Sequence, residues 1–285
     1  MVALEEVTGT TSHLSTHTSG ICRTEILSIG NELLTGKTLN TNERWLARRV
    51  TELGGSVARA TTVRDNLADI KGVVEEILRR KPTILLTSGG LGPTFDDMTL
   101  QAIAESTGRA LSVHKSALRM VRAKYRTLRG RRGVPLTRPR MKMAMLPEGA
   151  QALPNPVGTA PGVLLPVTGS KIVCLPGVPT ELKRIFQDSV APIILHETGG
   201  ARRASRSLRV QGVFESELAP LVERVMNRNP GVYIKSHPKG GERRGHSEIE
   251  LDFIAEFSSK MESQERIQRA IEDMARTLPK TGKIV

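Results

Sequence analysis

Between Glu25 and Gly108 two kinds of apolar segment alternate, and that alternation restricts the fold more than any other feature of the chain. "EILSIG" (Glu25–Gly30) reads as a strand. "NERWLARRVTEL" (Asn42–Leu53) reads as a helix, with Asn42 as its N-cap and Trp45, Leu46, Val50 and Leu53 at helical spacing. "SVARATTV" (Ser56–Val63) is a second strand, and Leu67–Arg80 a second helix with Leu67, Ile70, Val73, Val74, Ile77 and Leu78 on one face. "TILLTSG" (Thr83–Gly89) is apolar without alternation, the pattern of a strand covered on both sides. Leu100, Ile103 and Ala104 mark a helix closing near Gly108. Strand and helix in strict alternation predict an α/β fold, a mostly parallel sheet with helices on both faces.

Further along, the pattern predicts a helix over His114–Leu128, strands at Met141–Leu146, Val163–Val167 and Lys171–Leu175, and a helix over Thr180–Leu195. "HETGGARRAS" (His196–Ser205) is short, polar and glycine-paired, and reads as a linker. Beyond it "RSLRVQG" reads as a strand, Glu215–Asn227 as a helix, "VYIKSH" and "SEIELDFIAEF" as alternating strands, and Gln264–Thr277 as a closing helix. That order predicts a small second domain of α+β type over 206–285, with residues 1–22 a mobile leader and 23–195 the α/β domain.

Composition matters at three points. No apolar run approaches the roughly 18 residues of a membrane span, and the leader lacks a basic-then-apolar secretory pattern, so no membrane and a cytoplasmic location are expected. Cys22 and Cys174 are too few for a disulfide framework; Cys174 lies in an apolar run and reads as a buried core thiol. The formal charge is +13, and from Lys115 to Lys142 there are eleven Lys or Arg and no Asp or Glu. Such a field steers anionic ligands. With only Tyr125 interleaved, it reads as a solvated face rather than a nucleic-acid surface, and nucleic acid is not the expected partner.

Residues at the carboxyl ends of strands in an open α/β sheet meet the ligand. Three groups fall there: Gly30-Asn31-Glu32, Asp65-Asn66, and "TSGGLGPTFDDMT" (Thr87–Thr99). Gly89, Gly90 and Gly92 lack Cβ atoms, so their amides can approach an anion closely. Asp96 and Asp97 at the start of the next helix are compatible with capping. An acid beside a phosphate loop instead implies a cation joining the two, so Asp65, Asp96 and Asp97 are candidate ligands of Mg²⁺ or another divalent ion. Asp65, Asp97 and Glu32 are the candidate catalytic residues. Neither a Walker loop nor a dinucleotide fingerprint is present.

Five segments in order, "SIGNELLTGKTLNTN" (Ser28–Asn42), "TTVRDN" (Thr61–Asn66), the glycine loop, "NPVGTAPG" (Asn155–Gly162) and "CLPGVPTELKRIF" (Cys174–Phe186), resemble the molybdopterin-binding-like domain of the MoaB/Mog proteins. In particular they are similar to the amino-terminal part of CinA-type competence/damage-inducible proteins. The resemblance implies a three-layer α/β/α domain over about Arg23–Leu195 and a KH-like fold for the small domain. It places Asn42, Ser88, Gly89, Gly90, Gly92, Asn155, Gly158, Pro176, Gly177 and Glu181 around a nucleotide or pterin. Asn31 and Ser88 stand where threonines are common in the family.

Three functions follow as expectations. The first is Mg²⁺-dependent hydrolysis of a nucleotide diphosphate such as ADP-ribose, as the CinA branch implies. The second is molybdopterin binding, or its adenylylation by ATP, as the Mog branch implies. The third is RNA binding through the KH-like domain, against which stands the absence of a GXXG tetrad after Arg206; "GERRG" (Gly241–Gly245) has three residues between its glycines. The deamidase module of full-length CinA proteins has no counterpart here, so deamidation is not expected. The family resemblance also implies a homo-oligomer.

Overall fold

The protein is described from a computed structural model, which places residues 22–129, 135, 137–200, 202–239, 247–257 and 260–285. Residues 1–21 of the expected leader 1–22, Arg131 and Arg132 of the basic loop, and "GERRG" lie outside the described residues. Among the described residues no helix is long and apolar enough to cross a membrane.

The chain runs β1 (Arg23–Ile29), α1 (Asn31–Leu34), α2 (Thr41–Glu52), β2 (Ser56–Val63), α3 (Leu67–Arg79), β3 (Ile84–Ser88) and α4 (Thr99–Ser106). It continues with β4 (Leu111–Val113), α5 (Lys115–Arg129), α6 (Arg138–Lys142), β5 (Met145–Pro147), β6 (Gln151–Leu153), β7 (Gly162–Val167) and β8 (Ser170–Leu175). Then come α7 (Pro179–Ile185), a π-helical turn at Phe186–Val190 and α8 (Ala191–Glu197). The last part holds β9 (Arg202–Gln211), α9 (Glu215–Arg228), β10 (Val232–Pro238), β11 (Glu248–Phe257), α10 (Lys260–Thr277) and β12 (Lys283–Ile284).

Six strands form one sheet in the order β2-β1-β3-β8-β7-β6; the first four are parallel, and β7 runs antiparallel to both of its neighbours. Successive residues of a strand point to opposite faces. Leu27, Ile29, Leu85, Ile172 and Cys174 therefore pack with Ile70, Val74, Ile103, Ala117 and Val121 of α3, α4 and α5. Ile26, Ile84, Leu86, Val173 and Leu175 pack with Leu46, Val50, Leu182, Ile185 and Ile194 of α2, α7 and α8. Both faces are covered, which is why Ile84–Leu86 carries no polar alternation. The α/β class and the three layers are as the sequence predicts.

The last part forms a separate antiparallel sheet, β10-β11-β9-β12, with its own core of Leu218, Val222, Val225, Leu251, Phe253, Ile267 and Met274 beneath α9 and α10. Its strands alternate because one face is dry while the other presents Ser207, Lys235, His237, Glu250 and Asp252.

Local differences from the sequence reading have local causes. The cap of α2 is Asn40, not Asn42: Asn40 Oδ1 accepts the Glu43 N–H at 3.1 Å, while its amide donates to Glu43 Oε2 at 2.8 Å. Asn42 is thereby freed for the strand ends. The helix α4 begins at Thr99, so Asp96 and Asp97 lie in the loop before it and do not cap it. Met141 and Lys142 end the short helix α6, which Pro139 favours by fixing φ in its first turn; the expected strand there shrinks to Met145–Pro147. The helix expected over Thr180–Leu195 widens into a π turn just before Pro192, whose missing N–H removes one ladder bond. Cys174 is fully buried, and burial pushes its thiol up to about 12, as an inert core cysteine requires.

Candidate functional site

The strand registers align the chain segments that carry the predicted residues. Ile29 pairs with Val63, Ser28 with Ser88, Ser88 with Leu175, Val163 with Cys174, and Leu153 with Gly162. Every loop that leaves this row therefore emerges at one edge of the sheet. The chain steps from β1 to β2 on one side and to β3 on the other, so the edge includes the point where strand order reverses.

Asn42 reaches across this edge. Its amide donates to Gly177 O at 2.7 Å and to Ser88 Oγ at 3.1 Å, joining α2 to the ends of β3 and β8. Its Oδ1 is buried and, among the described residues, has no hydrogen-bond partner. A buried acceptor left open costs free energy unless a further donor meets it. Gly89 has φ +110°, and a Cβ there would lie 2.3 Å from the Ile29 carbonyl oxygen. Gly90 has φ +68°, and its Cβ would lie 2.1 Å from Thr99 Oγ1. These two glycines are required by the fold of the loop itself, which Thr99 ties down by donating to Gly89 O at 2.8 Å.

Gly30, Gly92 and Gly158 are matched to carboxylates. A Cβ on Gly30 would meet Glu32 Oε1 at 2.6 Å, one on Gly92 would meet Asp97 Oδ2 at 2.5 Å, and one on Gly158 would meet Glu181 Oε2 at 1.8 Å. Asp97 Oδ2 accepts from the Thr94 N–H at 2.8 Å and lies 2.6 Å from the Thr94 hydroxyl, which also faces Asp96 Oδ1 at 2.5 Å. Asp65 Oδ2 accepts from the Asn31 N–H at 2.7 Å, closing the β1 and β2 loops on each other. Asn155 gathers a separate group: its amide donates to Glu181 Oε2 at 2.7 Å and to Ala160 O at 2.8 Å, and its Oδ1 accepts the Gly158 N–H at 2.8 Å. That group meets the Asn42 group through the short chain from Gly177 to Glu181; Pro176 is buried just before it.

Charge at this edge is uneven. Burial pushes the Asp65 carboxyl up, the Asn31 hydrogen bond opposes the rise, and the negative charges of Glu32, Asp96 and Asp97 add to it. The Thr94 hydrogen bond holds the Asp96 carboxyl below its ordinary range, helped by Lys142. Among the described residues no three His, Cys, Asp or Glu side chains stand close enough to form a metal shell of their own. The four acids thus share a field without sharing a centre.

Sequence reasoning left three polar groups outside the candidate site. Lys142 donates to Thr94 O, Lys124 donates to Pro156 O at 2.7 Å, and Thr94 braces both aspartates. Both lysines belong to the basic run Lys115–Lys142, whose uniform charge hid which members face the loops.

The comparisons with known proteins fall on the same region. The family described as "Probable molybdopterin binding domain" matches residues 25–196. A protein of Metallosphaera sedula is 43% identical over 260 residues, covering 89% of this chain and 96% of its own length. One of Aeropyrum pernix is 42% identical over 260 residues, covering 91% and 95%. The crystal structure of the protein CinA with unknown function from Thermoplasma acidophilum has 37% identity and a TM-score of 0.55, over 60% of this chain and 98% of that one. All five sequence segments lie within or across the matched residues, and more than half of the chain is covered. The chain belongs to the molybdopterin-binding-domain family of the MoaB/Mog and CinA proteins.

Proposed function

We propose that this protein binds a phosphorylated pterin of the molybdopterin type at the carboxyl edge of its six-stranded sheet, as a component of molybdenum-cofactor assembly. The observation that carries this reading is the convergence of the family's loops on one edge, where Asn42 ties Ser88 to Gly177 and leaves a buried acceptor open. A fused pterin ring offers N–H donors to such an acceptor. Its phosphate is suited to the backbone amides of Gly90 and Gly92, with Lys142 supplying positive charge beside Thr94. Ser88 and Gly177 position Asn42, and Asn155 with Glu181 holds the opposite loop in place.

The donor set fits Mg²⁺ held by few protein oxygens. Mg²⁺ commonly takes one or two carboxylates and completes its shell with water and ligand phosphate. Asp65 and Asp97 each accept their hydrogen bonds on Oδ2, and burial, with neighbouring negative charge adding to it, disfavours the Asp65 carboxylate, which a cation relieves. When bound, the ion supplies charge neutralisation between carboxylate and phosphate oxygens. Adenylylation by ATP is the extension of this reading that uses the same acids.

The family match favours pterin binding over ADP-ribose cleavage, the activity expected first from the CinA resemblance. The test offers the purified protein Mg²⁺ with ADP-ribose in one arm, and molybdopterin with and without ATP in another. Tight pterin binding with ADP-ribose left intact is the expected result. Release of AMP and ribose 5-phosphate, with no pterin bound, overturns it.

A further inference from the structure

We infer that Phe95 is the stacking platform for the fused heteroaromatic ring of the ligand, an inference that rests on the phosphorylated-pterin reading above. Phe95 is 86% exposed, the most exposed of the large apolar side chains described. Aromatic residues make up only 3% of the chain: Trp45 meets Phe186 edge-on at 5.2 Å, Tyr125 lies 4.3 Å beneath the Arg140 guanidinium, Phe253 is buried, and Tyr233, 56% exposed, belongs to β10 of the other sheet. A phenyl ring held in water forfeits the free energy of its own burial. Here the ring is also held on a fixed base.

The residue before it, Thr94, is fixed through all its polar atoms. Asp97 takes its N–H at 2.8 Å, Lys142 binds its carbonyl, and its hydroxyl faces Asp96 and Asp97 at 2.5 and 2.6 Å. The residue after it is Asp96 itself. Because the backbone beneath the ring is already fixed, stacking has only the side-chain torsions of Phe95 to order, and more of the contact goes into affinity. The same loop holds Gly90, Gly92 and the Lys142 charge, so a ligand with a phosphate and a flat ring meets both requirements within one loop. Leu34, Leu39, Val157 and Val178, exposed by 52, 80, 46 and 51%, emerge from the neighbouring loops of the same edge and give it an apolar rim.

The test uses three probes on the full chain: neopterin monophosphate, AMP, and ribose 5-phosphate, which has a phosphate and no ring. Phe95→Ala is expected to weaken both ring-bearing probes at least about 10-fold, in the range of aromatic stacking, and to leave ribose 5-phosphate unchanged. Phe95→Trp is expected to keep affinity and to show quenching of the new indole by the ring-bearing probes. Equal binding of all probes by wild type and Phe95→Ala overturns the inference while leaving the phosphate site standing. A loss that tracks a change in sedimentation, and not the presence of a ring, assigns Phe95 to contact with a second copy instead and also overturns it. Failure of the wild-type protein to bind any probe overturns the underlying reading, and the stacking role with it.

Discussion

The two ends of the six-stranded sheet treat charge in opposite ways. At the amino edge Glu25, only 2% exposed, is gripped by Arg80 through hydrogen bonds of 2.9 and 2.6 Å. There Ser170 donates to Pro82 O, and Lys171 pairs with Glu197 at 2.8 Å. At the carboxyl edge burial and the negative charges of Glu32, Asp96 and Asp97 push the Asp65 carboxyl up, the Asn42 acceptor has no donor among the described residues, and Phe95 stands in water. The strands are the same at both ends, so the difference lies in what the loops were given. One edge is neutralised for stability. The other keeps its groups unmet, which is the condition under which a cation or an anionic ligand gains most from arriving.

This contrast breaks or sharpens under four changes. The largest effect is expected at the amino edge. Arg80→Met strands the buried Glu25 carboxylate and should cost about 3 kcal/mol in urea unfolding, with ligand binding intact. Adding Glu25→Gln to it should recover part of that loss, because no unpaired charge then remains. Next is Asp97→Asn, expected to lower Mg²⁺-supported ligand affinity at least about 10-fold, or about 1.4 kcal/mol, because a charged oxygen is lost while the shape is kept. Its urea midpoint without Mg²⁺ should stay put, since asparagine Oδ1 can accept from Thr94 as well. The reverse pattern, lower stability and equal affinity by calorimetry, would make Asp97 a brace like Glu25 and erase the contrast.

Asp65→Asn sharpens the comparison from the other side. Removing one member of the crowded acids should raise the melting temperature of the metal-free protein, by no more than about 4 °C, while weakening Mg²⁺ binding. A fall in melting temperature would show that the acids are stabilised in place. The smallest effect is at Glu197, whose carboxyl the Lys171 hydrogen bond holds below its ordinary range. A lowered carboxylate contributes stability that is present above its unfolded value and lost as pH falls through the folded one. Glu197→Gln should therefore cost less than about 1 kcal/mol at neutral pH, and the difference from wild type should disappear on acidification.

Much of the site was legible because its signals are local. The glycine loop, the tandem aspartates and the polar residues at strand ends follow directly from short spacings. The reasons for those residues were less legible. Gly90 reads as an opening for a ligand, yet its missing Cβ makes room for Thr99, and the Gly92 and Gly158 positions make room for Asp97 and Glu181. Asn42 reads as a cap because it stands near a helix start. Asn40, two residues earlier, does that work, and the sequence alone offers two asparagines without saying which turns inward. Lys142 and Lys124 were hidden in a run of like charge, since nothing in a basic stretch marks which ammonium groups meet loop carbonyls.

Apart from the short elements α1, β4, α6, β6 and β12, the sequence by itself determined the layers, the main alternation of strands and helices, and the loops that carry polar chemistry. Those depend on periodicity and on residues a few positions apart, and the hydrophobic effect reads them without reference to the rest of the chain. Only the tertiary structure decided which charges were neutralised. Arg80 and Glu25 lie 55 residues apart, and Asn42 and Gly177 lie 135 apart. Pairing at such distances depends on the register of one strand against another. A single strand's pattern fixes which of its faces is dry, but the partner that meets its end is set only when the whole sheet closes.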